Sequence, residues 1–85
     1  MQQVQIPMFT VYLLRSDLTG RYYAGHTENL SQRLHQHNEG NSKSTKHGIP
    51  WRIIYTKEFQ TRSEAMKHEL QIKKRGIQRF LTVVT

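Results

Sequence analysis

Apolar residues gather in three short runs, set apart by turn formers and by two stretches of helical spacing. The first run, "FTVYLL" from Phe9 to Leu14, is rich in β-branched and aromatic residues and reads as a strand. "SDLTG" supplies turn formers before a second short strand, Arg21 to Gly25, and the two predict an antiparallel hairpin. From Glu28 the period changes. Leu30 and Leu34 sit four apart on one face, Thr27 can cap the free N–H groups, and Gly40 can close a helix that stops near Asn38. "GNSKSTKHGIP" is then a polar, basic loop, and "WRIIYTKEF" (Trp51 to Phe59) reads as a third strand. "TRSE", Thr61 to Glu64, has capping-box spacing and opens a helix running to about Arg75, before Gly76. The order is β-β-α-β-α, and the tail "IQRFLTVV" fits a further helical turn or a strand.

A chain of 85 residues predicts one domain, with its core between about Phe9 and Gly76, because it buries only roughly 60 to 65% of its unfolded surface. Thirteen basic residues against six acidic ones give a net charge of +7, concentrated in the C-terminal half. Such an excess points to a polyanion, nucleic acid first, since each neutralised phosphate releases condensed counterions. The plainer alternative is a solvated basic surface that keeps the protein soluble. With no cysteine, disulfide frameworks and thiolate zinc sites are excluded. The start "MQQVQIPMF" lacks a basic segment and a long apolar run, and no apolar stretch approaches the ~20 residues needed to cross a bilayer. A cytoplasmic protein without a membrane partner is the expectation.

Three places carry candidate chemistry. In the second helix, 100° per residue sets Ile72, Ala65, Glu69, Met66 and Leu70 on one arc with Glu69 near its middle. A carboxylate there needs a partner. Lys73, four residues on, could make an ordinary helix pair of ~0.3 to 0.5 kcal/mol. Alternatively, Glu69 holds one hard divalent ion whose other positions are filled by water and phosphate. On the first helix, Arg33 and His37 point the same way, as a phosphate fork and a proton-handling ring or as a solvated basic face. His35 points elsewhere and reads as surface. In the hairpin, Tyr12 and Tyr23 can approach across the ladder, for packing or for chemistry, and Gly25 permits a close approach to the backbone.

Together, and in this order, these elements resemble the GIY-YIG nuclease family in its small stand-alone bacterial form. "TVY" (Thr10 to Tyr12) stands for the first motif and "YAG" (Tyr23 to Gly25) for the second, followed by "HTENLSQRLHQHNEG" and "RSEAMKHELQIKK". Thr10, Val11 and Ala24 depart from the motif glycine and isoleucines, while both tyrosines and Gly25 are kept. The resemblance implies an α+β fold with a three-stranded antiparallel sheet flanked by helices. It also implies an endonuclease that hydrolyses DNA phosphodiesters with one Mg2+ or Mn2+ ion. By matching position, Tyr12, Tyr23, Arg33, His37 and Glu69 would be catalytic, with Glu69 the metal ligand. So small a domain has little surface for reading bases, so branched or damaged DNA of repair or recombination is the expected substrate, with a protein partner as one source of specificity. Lys43, Lys46, Arg62, Lys67, Lys74 and Arg75 are the candidates for tracking DNA. A non-catalytic nucleic-acid-binding module on the same fold is the alternative.

Overall fold

In the computed structural model of the protein, which describes residues 8–84, the first apolar run becomes the middle strand of the sheet. Strand β1 (Phe9–Ser16) pairs antiparallel with β2 (Tyr22–Thr27) on one side and β3 (Trp51–Phe59) on the other. This placement explains why β1 reads as a continuous apolar run rather than an alternating one. Val11, Tyr12, Leu13 and Leu14 are all buried, because both faces of the sheet are covered.

The two faces carry different cores. Val11, Leu13 and Ala24 pack against Ala65 and Ile72 of α2 (Arg62–Arg75), together with Ile77, Phe80 and Leu81 of α3 (Ile77–Val84). Tyr12, Leu14 and Trp51 face the other way, where Leu30 and Leu34 of α1 (Leu30–Asn38) cover them with Tyr23 and Ile49. The three-stranded antiparallel sheet therefore lies between α1 on one side and α2 with α3 on the other, an α+β fold as expected.

Two details differ from the sequence reading, and a third that it left open is decided. Helix α1 begins at Leu30 and is capped by Asn29, whose side chain accepts from the Gln32 N–H at 3.0 Å. Thr27 cannot be the cap because it still lies in the ladder opposite Thr10; its hydroxyl accepts from the Asn29 N–H instead. The arc on α2 is narrower than its apolar residues suggest. Its buried line is centred on Ala65 and Ile72, with His68 and Glu69 partly buried beside it, while Met66 and Leu70 are exposed. Met66 and Leu70 lie 100° and more around the helix from Ala65, beyond the strip that touches the sheet. Glu69 is thus at the flank of the packed face, not its middle. The tail, finally, is helical: Ile77, Phe80 and Leu81 recur at three and four residues and together reach the core.

Other expectations are met. Gly40, at φ +80, ends α1, and Thr61 caps α2 by accepting from the Glu64 N–H at 3.1 Å. No helix among the described residues is long and apolar enough to cross a membrane.

Candidate active site

Strand alternation puts Tyr12 and Tyr23 on the α1 face. Tyr12 lies opposite Gly25 and Leu14 opposite Tyr23, so the two tyrosines are diagonal neighbours with ring centroids 6.3 Å apart. Helix α1 then lowers His37 between them. Its ring stands edge-on to Tyr23 at 4.9 Å, and its Nε2 lies 2.9 Å from the Tyr12 hydroxyl. The other ring nitrogen, Nδ1, is 2.8 Å from the Thr45 hydroxyl, and the Thr45 carbonyl accepts from the Trp51 indole at 2.7 Å. A side chain read as part of a polar ridge is therefore completely buried, and every buried polar side-chain atom among the described residues is satisfied.

This close fit depends on Gly25. A Cβ at that position would lie 2.6 Å from the Tyr12 hydroxyl, so the glycine is required for close approach rather than for its backbone angle.

Arg33, one turn before His37, is partly buried and donates to Gln36 at 3.2 Å. The neighbouring Tyr12 hydroxyl holds the Arg33 pKa up. Burial pushes the Tyr12 phenol up to about 12, against the opposing pull of Arg33. Burial and then the Arg33 charge hold His37 below the ordinary histidine value, so its imidazole is neutral at neutral pH.

Glu69 approaches from the other side of the sheet. Its Oε1 is 2.6 Å from His26 Nδ1 of β2, and its Oε2 is 2.6 Å from Lys73 Nζ. Burial works to raise its pKa, but the bonds to Lys73 and His26 outweigh this and hold the carboxyl below the usual range. His26, Arg33, Gln36 and Arg62 share a cleft of about 320 Å³ between α1 and the start of α2, which joins the two sides of the site around the free edge of β2.

Among the described residues, no group of three or more His, Cys, Asp or Glu side chains converges as a metal cage. Glu69 alone fits the other arrangement, a single carboxylate with water and phosphate completing the shell, as magnesium tolerates. Lys73 is half exposed, and its ammonium can swing away from Oε2 without leaving a buried charge.

The structure thus brings Tyr12, Tyr23, Arg33 and His37 into one cluster, with Glu69 joined to the adjoining cleft through its bond to His26. His35 is exposed and pairs with Glu39 at 3.0 Å. Of the six candidate basic residues, all exposed, Arg62 stands at the cleft. Lys74 and Arg75 surround a depression at the opposite end of α2, joined there by Arg79. Lys43 and Lys46 flank Thr45 in the loop after α1, and Lys67 lies on the outer side of α2. The sequence reading missed His26 and Thr45. His26 had a signal in its place directly after Gly25; Thr45, inside a polar loop, had none.

A profile of the GIY-YIG catalytic domain matches residues 8–78. A UPF0213 protein of Streptococcus agalactiae is 32% identical over 82 residues, covering 95% of this chain and 91% of its own length. One of Oceanobacillus iheyensis is 41% identical over 64 residues, 74% of this chain and 73% of its own. The solution NMR structure of a UPF0213 protein from Bacillus halodurans superposes with a TM-score of 0.56 at 28% identity, covering 91% of this chain and 82% of that one. The chain belongs to the GIY-YIG family, whose catalytic domain has a nuclease fold, and the Bacillus halodurans protein carries the same α+β architecture.

Proposed function

We propose that the protein is a metal-dependent endonuclease that hydrolyses DNA phosphodiester bonds, directed by branched or damaged structure and serving repair or recombination. The observation that carries this reading is the buried Tyr12–His37 hydrogen bond beside Arg33, with Glu69 bonded to His26, which lines the same cleft as Arg33.

The roles follow from the electrostatics. Tyr12, at about 12, is a poor source of phenolate by itself. It has a neutral acceptor within reach, because the neutral His37 ring offers one acceptor and one donor nitrogen. A phenol O–H is the natural donor to Nε2, which leaves the ring proton on Nδ1, donated to Thr45. A phosphate entering the cleft draws the Arg33 fork onto its oxygens and uncovers the Tyr12 hydroxyl to water. As that water attacks phosphorus, its proton passes to Tyr12 while the Tyr12 proton moves to His37 Nε2. The bond to the departing oxygen breaks, and that oxygen is protonated from solvent. Arg33 meets the charge that grows on the phosphoryl oxygens. Glu69 would hold the divalent ion, which when bound supplies charge neutralisation on the leaving side. The Nδ1 contact from His26 keeps Glu69 oriented.

Labelled single-stranded, duplex, flap and four-way-junction DNA, incubated with magnesium, with manganese and with chelator, tests the proposal. Cleavage of branched substrates that the chelator abolishes is the expected result. Glu69→Gln is expected to fold and bind DNA without cutting it, since the amide keeps the shape and loses the charge. Full activity of Glu69→Gln would overturn the metal assignment. One observation favours a second reading, a non-catalytic nucleic-acid-binding module: both Glu69 oxygens are already engaged in the free protein. Specific binding without cleavage in every metal condition would establish it.

A further inference from the structure

Two large apolar side chains of α2 stand in water: Met66 is 46% exposed and Leu70 60%. They are four residues apart, so one lies above the other on a single flank of the helix. We infer that this flank enters the major groove of the bound DNA duplex, with Met66 and Leu70 turned to the base edges. The cations on either side of them are then turned to the two phosphate backbones.

The order of residues around the helix carries the inference. At about 100° per residue, starting from the sheet, Ala65 and Ile72 come first, then Glu69, then Arg62 with Lys73, then Met66 with Leu70, and last Lys74 with Lys67. The apolar pair is therefore a strip between two rows of cations. One row adjoins the candidate site, since Arg62 lines the cleft and Lys73 is bonded to Glu69. The other row faces solvent, and Lys67 and Lys74 make no hydrogen bond or ion pair among the described residues. The two carboxylates that meet this flank are already paired: Glu69 with His26 and Lys73, and Glu28 with Arg62.

Each part of the flank has a counterpart in a major groove. A helix with its side chains is about 10 to 12 Å across and the groove about 12 Å wide, so α2 can lie in it. The floor of the groove carries the C5-methyl of each thymine, the apolar group that a methionine or leucine can meet. Its two walls are phosphate backbones, one for each row of cations. The row beside Glu69 then faces the strand that the candidate site addresses. Contact with a methyl group discriminates weakly among sequences, in keeping with recognition by structure.

Charge decides the occupant. A second copy of this chain would set cations against cations, because the flank has no unpaired carboxylate among the described residues to offer in return. A bilayer surface is met by a long apolar face, and this strip is two side chains wide. A polyanion with apolar groups between its charged walls meets both features. The inference rests on the nucleic-acid reading of the site and extends it by naming the groove and the residues that enter it.

The test is a binding titration in chelator, which needs no cleavage. Labelled blunt duplex is titrated with wild type and with a chain carrying both Met66→Gln and Leu70→Gln, which keeps side-chain length and helix propensity and removes the apolar surface. Thermal melts establish that the variant is folded. The expected result is roughly tenfold weaker duplex binding at an unchanged salt slope, because no charge is lost. A duplex with uracil in place of thymine lacks the C5-methyl groups of the major groove. Wild type should bind it about threefold more weakly, the equivalent of one buried methyl group, and the variant should bind both duplexes alike. Wild-type duplex affinity in the folded variant, or equal affinity of wild type for the thymine and uracil duplexes, would overturn the inference. So would a dimer, or capture by anionic vesicles, that wild type shows and the variant loses. None of these results touches the endonuclease reading. The expected binding pattern in a protein that cuts no substrate would sustain the groove contact and remove the catalytic reading alone.

Discussion

A methyl group on residue 25 would press against the Tyr12 hydroxyl at 2.6 Å, and that hydroxyl has little freedom to retreat because Tyr12 is buried and bonded to His37. Gly25→Ala is therefore expected to displace the phenol from Nε2 and to lower cleavage by more than tenfold, the rate equivalent of ~1.4 kcal/mol. DNA affinity, set by exposed cations, should hold within a factor of about two. A cleavage assay run beside a binding titration separates the two effects, and unchanged cleavage would show that the Tyr12–His37 bond has no part in turnover. At the other end of the chain of bonds, Thr45→Val preserves shape but leaves His37 Nδ1 without a partner in a site closed to water. The expected cost is about 1 to 3 kcal/mol in urea unfolding, recovered largely by Thr45→Ser. Tyr12, Tyr23, Arg33 and His37 were legible in the sequence because strand alternation and the four-residue helical period set their directions. His26 and Thr45 were not, because their partners lie 43 and 8 residues away and the folded chain brings them together.

At the scale of elements, α3 was the least legible. Its eight residues are rich in β-branched side chains, which suit a strand, yet Ile77, Phe80 and Leu81 share one helical side and the neighbouring core accepts them. The sheet and α2 were readable because apolar runs, turn formers and the Thr61 cap agreed; the start of α1 slipped because the ladder holds Thr27. Helix α3 is anchored through His68 of α2, which bonds Tyr55 at 3.0 Å and packs edge-on against Phe80. Burial, then the Lys57 charge, hold the His68 pKa below the ordinary 6.5. His37 is shifted the same way. The unfolded chain thus binds more protons than the folded one between the lowered folded values and 6.5. Stability from both histidines is fully present above pH 6.5 and is lost as pH falls from there toward the folded values. Melting temperature should drop across mild acid, and His68→Gln, which keeps a polar partner for Tyr55 without titrating, should weaken that dependence. Equal pH slopes for wild type and variant would assign the effect to His37 or to other groups.

The whole molecule sets a cation path against a compact site. Residues 43–85 carry ten of the thirteen Lys and Arg residues and three of the six acidic ones, so the net charge of +7 resides in that half. Helix α2 lays much of it out in a line, with Arg62 at the cleft and Lys74 and Arg75 at its far end. Fourteen residues of helix span about 20 Å, close to the rise of six base pairs of duplex. A duplex arm following α2 would thus reach from the candidate site to the distal cations. On that path, replacing Lys74 and Arg75 together by alanine should weaken binding to all sequences alike. The dependence of log affinity on log salt should flatten by roughly 0.9 for each duplex phosphate that the variant no longer neutralises. The same pair of substitutions should matter less for a short single strand bound at the candidate site, because no duplex arm is then present to reach them. Affinity titrations across a salt series, on a junction and on a short single strand, check both statements. An unchanged slope on the junction would move the duplex away from α2, toward Arg15 and Arg21 on the hairpin side.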